Sequence, residues 1–587
     1  MHDRTRSRAV LAAAAVGALA LTAGCSSKSG GSSGTAAGGQ AMAAASTSIV
    51  NPSTKKGGTL DLWSNQDVDS WDPARSYYGF AWDLEHQFTQ TLVTYPNLPG
   101  AAGNKLVPEL ASAMPVISNG NKTYTFHLKS GERFENGDPI TSQDVKYGIE
   151  RLFAQDVLPG GPVYLVQALD EGQKYQGPYK DKDPNKMGLK SVQTPNAQTI
   201  VFNLAKPDAD FPYYLTMGPS APVEPKMDTG AKYALHPESS GPYKFKSITP
   251  GKGAVMVRNT QWNAADDPEH PALPNEIDFT VTSNDNMLDS QLLSNSADLD
   301  IGQVGLQQDS QAKAISNPAL KRNTLDVPTG VIRFLTIDET VAPFNNIHCR
   351  RAVAYAMDPT AMQTARGGPL GGGALEQEML PRTLSGHDAY DPYDLKQGHP
   401  QVAKAKQELK LCGKPNGFST TIVTGNNKQK SINSAVALQS SLKAVGIKAQ
   451  VDEYDQAQEA GTVGTPAYVR AHGWGLQISG WGADYQTPSG FLRPIVDGRE
   501  ILPSGNYNGA EINDPKINSL IDDASGQTDP AKVAADYQQI DHIVMDQAVY
   551  IPEVDEQNFN YFNPRLTNVF YSRGWARVSI TGMGVEK

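Results

Sequence analysis

The sequence predicts an α/β fold, and two segments carry that reading. One is an alternating strand that runs through turns into a capped helix near residues 123–153. The other is a strand–helix–strand unit over residues 418–451. In the first, Tyr124, Phe126 and Leu128 fall on one face and Thr125, His127 and Lys129 on the other, the period of a half-buried strand. Gly131 and Asn136-Gly137 mark turns. Thr141 and Asp144 have capping-box spacing, and Val145, Ile149, Leu152 and Phe153 follow at helical intervals. Ile200, Phe202 and Leu204 alternate again. Pro207, Pro212, Pro219, Pro222 and Pro225 then exclude a long helix. In the second segment, Phe418, Thr420 and Ile422 read as a strand. Ser431 is placed to cap a helix with Ile432, Val436, Leu442 and Val445 on one stripe, ended by Gly446. Ile447, Ala449 and Val451 alternate after it. This order predicts a parallel strand pair joined by a right-handed crossover.

The chain has 587 residues, enough for three or four domain-sized units. Its 51 Lys+Arg against 62 Asp+Glu leave a net charge of −11. The acidic balance argues against a nucleic-acid partner, which needs a basic face. Mean hydropathy is −0.43, and no repeated apolar 20-mers appear, which argues against a polytopic membrane protein. With 3 Cys the chain is neither a disulfide scaffold nor a zinc ribbon.

Arg4, Arg6 and Arg8 precede an apolar run from Ala9 to Leu21, too short for a membrane span. The run closes on Leu21-Thr22-Ala23-Gly24-Cys25, which resembles the lipobox of a bacterial lipoprotein. Residues 1–24 are thus expected to be a signal peptide and Cys25 the lipidated residue. Their removal takes three Arg and one Asp, so the mature charge becomes 48 − 61 = −13. Residues 25–53 are rich in Gly, Ser and Ala and are expected to be a flexible tether. Cys349 and Cys412 remain, and two cysteines in an exported chain read as one disulfide.

Motif searches are largely empty. There is no H-E-x-x-H, P-loop or C-x-x-C, and the 10 His show no metal-ligand spacing beside a carboxylate cluster. No metal or other cofactor is expected. Asp298 and Asp300 read as a solvated loop. The glycine run Gly367–Gly373 lacks the Lys-Ser/Thr of a phosphate loop and reads as mobile.

Several blocks, in order, resemble the extracellular solute-binding proteins of ABC importers, family 5, the peptide/nickel type. They include Lys56-Gly57-Gly58-Thr59-Leu60, Trp71-Asp72-Pro73, Leu106 to Ala111, Lys122 to Arg151, Gly241-Pro242-Tyr243, Arg258-Asn259, Pro343-Phe344, Arg351 to Asp358 and Trp481-Gly482-Ala483-Asp484-Tyr485. The resemblance implies a two-lobed, periplasmic-binding-protein-like clamshell (type II, cluster C) with an inserted third α/β domain. Lobe I would comprise 54–93, 216–338 and 550–587, the inserted domain 94–215, and lobe II 339–549. Two strand crossings between lobes would form the hinge.

The same resemblance implies a function. The protein would capture oligopeptides or dipeptides in the interlobe cleft and deliver them to the membrane permease, as a monomer held by lipid to the outer face of the cytoplasmic membrane. Asp484 would take the ligand's α-ammonium. Trp481, Tyr485 and Trp474 from one lobe, Tyr77 and Tyr78 from the other, and Gly368 in the glycine loop would line the cleft. Arg382, Arg470 or Arg493 would meet the carboxylate. The same fold binding a nickel chelate, haem, oligosaccharide or signalling peptide is the alternative, and a secreted hydrolase a remote one. The family pattern continues Pro-Asp-Pro after its Asp-Tyr, and this chain has Gln486-Thr487-Pro488 instead.

Overall fold

A computed structural model describes residues 41–586 except 427. The expected signal peptide, Cys25 and most of the expected tether lie outside the described residues. The described part of the tether is docked. Met42–Ser46 forms a 3₁₀ turn whose Met42 and Ala45 are buried, and Val50 bridges Val569. Apolar Met42, Ala45 and Val50 give this stretch something to bury, which Gly and Ser alone would not.

Three sheets organise the molecule. A five-stranded sheet runs in the order Leu299–Asp300, Thr59–Ser64, Glu276–Val281, Gly253–Arg258 and Tyr243–Thr249. A four-stranded antiparallel sheet is built from Val116–Ser118, Thr123–His127, Thr199–Asn203 and Val192–Asn196. A six-stranded sheet runs Ala374–Leu375, Tyr550–Tyr561, Thr324–Ile337, Leu476–Gly482, Ser419–Gly425 and Lys448–Tyr454. Each sheet has its own apolar core.

The local readings hold where the pattern is strongest. Tyr124 and Phe126 are fully buried on one face of their strand. Thr141 and Asp144 form the capping box of helix Ser142–Arg151. Ser419–Gly425 and Lys448–Tyr454 pair in parallel across helix Gln429–Lys443. That helix is phased differently from the expected stripe. Its buried face is Ser431, Ser434, Ala435, Leu438 and Leu442, while Val436 is exposed and Ser431 lies inside the helix instead of capping it. Small residues let the helix approach the sheet closely, so Ser and Ala occupy the inner face that hydrophobicity alone assigned to Ile432 and Val436.

Asp298 and Asp300 are not solvated. Arg565 clasps Asp298 through Nε and Nη2, and Asp300 accepts the amides of Gly302 and Val304. Cys349, in helix Ile347–Ala356, and Cys412, at the end of helix Val402–Leu411, are joined as a disulfide with Cα atoms 5.2 Å apart. Both belong to the core of the six-stranded sheet, so the bridge ties one lobe to itself.

Candidate functional site

The site begins where two long strands pass between cores. Thr324–Ile337 buries Leu325 and Val327 in the core of the first sheet and Ile332, Phe334, Leu335 and Ile337 in that of the six-stranded sheet. Its register against Tyr550–Tyr561 slips between Pro328 and Ile332. Pro328 has no N–H to give the ladder, and Gly330 sits at φ 71°, where a Cβ is disfavoured. The pairing is interrupted at the passage between lobes, and a cavity of about 450 Å³ lies against the interruption, walled by Val327, Pro328, Thr329, Arg333, Lys430 and Glu556 among others. A second compartment of about 260 Å³ adjoins it and shares Tyr77, Tyr78, Arg333, Lys428 and Glu459.

One wall is backbone. Leu476–Gly482 pairs with Thr324–Ile337 along its whole length. On its other side it pairs with Ser419–Gly425 only through Leu476 and Gln477. Among the described residues no strand continues that ladder, so Ile478–Gly482 presents an open edge, and Ile478, Ser479, Gly480 and Trp481 line the smaller compartment. Such an edge is a template for an added strand. Gly480 also serves the floor. A Cβ there would lie 2.6 Å from Arg333 Nη1, so glycine lets the guanidinium cross the strand.

Two charged clusters sit on the walls. At the floor, Arg333 donates from Nε and Nη2 to Glu556 (2.7 and 2.9 Å), and Arg366 Nη2 donates to the same carboxylate (2.7 Å). Burial alone would raise the Glu556 pKa, but the two guanidiniums hold it well below the usual carboxylate range. Lys430 Nζ donates to the Gly371 carbonyl (2.8 Å) and Asn558 Oδ1 (3.1 Å), and burial pulls its pKa down to about 8. Behind the other wall, and lining neither compartment, Asp484 accepts the hydroxyls of Tyr77 (2.7 Å) and Tyr164 (2.5 Å), both on Oδ2. No cation pairs with it among the described residues. Burial pushes its pKa up to about 7, with the two hydroxyls opposing the rise.

The expected site residues divide. Tyr77 and Tyr78 line both compartments and Trp481 the smaller one. Asp484 lies directly behind Tyr77. Tyr485 instead packs into the core of the four-stranded sheet, edge-on to Tyr164 and stacked on Tyr213. It sits in the bend at 484–487 that leads into helix Pro488–Val496, and the bend carries its ring away from the strand edge into that core. Trp474 is buried with Tyr454, Tyr468 and Val341 and is not part of either lining. Its position just after a left-handed Gly473 puts it at the strand's start, away from the cleft. The proposed carboxylate partners are already spent: Arg382 binds Glu376, Arg470 binds Glu511, and Arg493 binds Glu500 beside Tyr214 and Gln167. Gly368 lines neither compartment; its loop contributes instead through the Gly371 carbonyl that holds Lys430.

Sequence reading missed Arg333, Arg366, Lys430, Glu459, Tyr507 and Glu556. A signal existed for one: Arg333 interrupts the apolar run Val331-Ile332-Arg333-Phe334-Leu335. It also missed Glu109, Asp267 and His270, which the fold gathers into a buried hydrogen-bonded cluster outside both compartments.

A cleft between two lobed cores, spanned by two strands and open to a ligand, defines a clamshell binding protein. The family model for bacterial extracellular solute-binding proteins, family 5 (middle), matches residues 105–502, and the chain belongs to that family. A solved structure of the clavulanic acid biosynthesis oligopeptide binding protein 2 is 39% identical, with a TM-score of 0.88, over 94% of this chain and 99% of that one. The probable D,D-dipeptide-binding periplasmic protein DdpA of Escherichia coli (strain K12) is 25% identical over 523 residues, 86% of this chain and 91% of that protein. The fold is shared with the periplasmic binding protein DppA of Helicobacter pylori in complex with the peptide STSA, at TM-score 0.73 and 21% identity over 91% and 99% of the chains.

Proposed function

We propose that this protein is the peptide-capturing component of an ABC importer, binding short peptides in the interlobe cleft and presenting them to a membrane permease. The observation that carries the reading is the open strand edge Ile478–Gly482 inside the cavity. A peptide laid along it would gain main-chain hydrogen bonds regardless of its side chains. Asp484 supports the same reading. Both tyrosine hydroxyls land on Oδ2, leaving Oδ1 for the ligand's α-ammonium. The ligand's carboxylate end would face Lys428 and Lys430, cavity cations without an ion-pair partner among the described residues.

In this reading Cys25 carries the lipid that holds the protein at the outer face of the cytoplasmic membrane, and the protein works as a monomer. The domains are 54–93, 216–338 and 550–587 for lobe I, 94–215 for the insert and 339–549 for lobe II. The stretches of Thr324–Ile337 and Tyr550–Tyr561 at the interrupted pairing, around Pro328 to Ile332, act as the hinge. Closure is a rotation about these strands.

A thermal-shift screen tests the reading. A library of di- to pentapeptides should raise the melting temperature. A shift from a sugar, haem or a nickel chelate with none from peptides would overturn it.

A further inference from the structure

Another charged cluster flanks the core of the six-stranded sheet, and none of its residues lines either compartment. The loop that follows Ala374–Leu375 wraps around Glu378. The amides of Asp388 (2.9 Å), Ala389 (2.7 Å) and Tyr390 (3.3 Å) all donate to its carboxylate, and Ala389 turns the chain for this at φ 66°. His387 Nδ1 donates to the same carboxylate and lies 3.0 Å from the Leu380 carbonyl, which fixes the proton on Nδ1. Helix Pro530–Gln547 faces the loop with Gln538, Asp541 and His542, whose spacing puts them on one side. Gln538 Nε2 donates to Asp388 (2.6 Å), and His542 Nε2 lies 3.0 and 3.1 Å from the two Asp388 oxygens. The His542 ring is stacked on Tyr390 at 4.1 Å between centroids.

Three carboxylates meet here. Asp388 and Asp541 both bring their carboxyls against that of Glu378, Asp388 from the solvent side and Asp541 from the interior. Asp541 is fully buried; its Oδ1 accepts the Met379 amide (3.1 Å), and its Oδ2 has no hydrogen-bond partner. Among the described residues no Lys or Arg pairs with any of the three, and only the imidazoles of His387 and His542 face them. Carboxylates in contact repel unless a proton or a cation joins them. One ligand atom each from Glu378, Asp388 and His542 lie within 4.8 Å of one another. Atoms bound to a tetrahedral zinc ion lie about 3.4 Å apart, so these three stand close to ligating distance. The Glu109–Asp267–His270 cluster is closed by comparison, since all three residues are buried and both Asp267 oxygens hold His270 Nδ1. Here Asp388 and His542 reach solvent, which gives an ion a way in.

We infer that Glu378, Asp388 and His542 form a binding site for a divalent transition-metal ion of the zinc class, with Asp541 completing it from the buried side. His387 is the outer group that orients Glu378. One imidazole nitrogen among carboxylate oxygens suits zinc better than calcium or magnesium, which take oxygen ligands. The ion supplies the positive charge that three touching carboxylates lack, and it pins the loop 376–391 to helix Pro530–Gln547. Asp388 and His542 lie 154 positions apart, so no spacing in the sequence announces the site. It is separate from the cleft and does not depend on the peptide-binding reading.

The test uses the purified protein without a histidine tag, stripped with EDTA, dialysed and titrated with zinc chloride in a calorimeter at pH 7.5. One ion should bind per chain and raise the melting temperature. His542→Gln and Asp388→Asn change residues that reach solvent, and melting in EDTA checks that each variant folds. Each should weaken zinc binding about 100-fold, and His387→Ala, which removes only the outer donor, about 10-fold. Calcium and magnesium should bind about ten times more weakly than zinc. No saturable zinc binding by the parent would overturn the site. Zinc binding that neither His542→Gln nor Asp388→Asn weakens would place the ion elsewhere and overturn it equally. Calcium bound as tightly as zinc would overturn the part assigned to His542.

Discussion

The floor and the tyrosine wall of the cleft treat buried charge in opposite ways. At the floor, Glu556 is wrapped by two guanidiniums and driven far towards its ionised form. At the wall, Asp484 has only two hydroxyls and is held near half-protonation at neutral pH. The first arrangement is complete without a ligand and holds the strand crossing together. The second lacks a countercharge, which a ligand's ammonium can bring. Charge that is already paired builds the scaffold, and charge left unpaired marks where binding energy is available.

Four variants put that contrast at risk. Glu556→Ala has the largest expected effect, because it strands Arg333 and Arg366 in the interior. We expect a loss of about 5 kcal/mol in urea unfolding, the upper end for breaking a buried ion pair. The pKa of Glu556 is depressed below its unfolded value, so its stabilisation is present above about pH 4.5 and is lost as acid protonates the folded form. A variant as stable as the parent at pH 7 would mean that the floor network holds nothing together.

The Cys349–Cys412 bridge comes next. Removing it with paired alanines should cost about 4 kcal/mol in the chain-entropy model for a loop of this length. Peptide affinity should not change, since both cysteines sit within one lobe. A large change in affinity would show that this lobe's interior is coupled to the cleft.

Asp484→Asn should weaken binding of free-amine peptides about 100-fold, or about 2.7 kcal/mol. It should leave N-acetylated peptides nearly unaffected. The unliganded protein should respond in the other direction. The folded pKa of Asp484 is raised to about 7, so ionising it costs stability as pH rises from about 4 to 7. Asp484→Asn should therefore raise the melting temperature at pH 8 and change it little at pH 4. A melting temperature lowered at pH 8 would contradict the presence of an uncompensated carboxylate.

Tyr485→Phe is the smallest. It removes one hydroxyl whose contact is Ser489 at 3.3 Å and keeps the ring stack. The expected cost is about 1 kcal/mol of stability with unchanged peptide affinity. A loss of affinity would return Tyr485 to the cleft lining.

Local alternation and capping were legible because they depend on neighbours in sequence. Tyr124 and Phe126, the Thr141–Asp144 box and the parallel pair around helix Gln429–Lys443 all arise that way. The lobed architecture was legible from ordered motif blocks. Within the site, Tyr77, Tyr78 and Trp481 were found because they flank such blocks. The arginines were not. Arg382, Arg470 and Arg493 and the true floor residues Arg333 and Arg366 look alike in sequence, and only the tertiary partners separate them. Glu556 lies more than 200 positions from Arg333. The carboxylates of the smaller compartment come from distant parts of the chain, Asp69 and Glu459, and no local pattern links them.

The proposed mode of peptide capture is a strand added to the open edge of Leu476–Gly482. Hydrogen–deuterium exchange of that strand, with and without a peptide shown to bind, reads this step itself. Slowed exchange of amides within Ile478–Gly482 on binding is the result expected. A peptide that binds while these amides exchange at their free rate would contradict it.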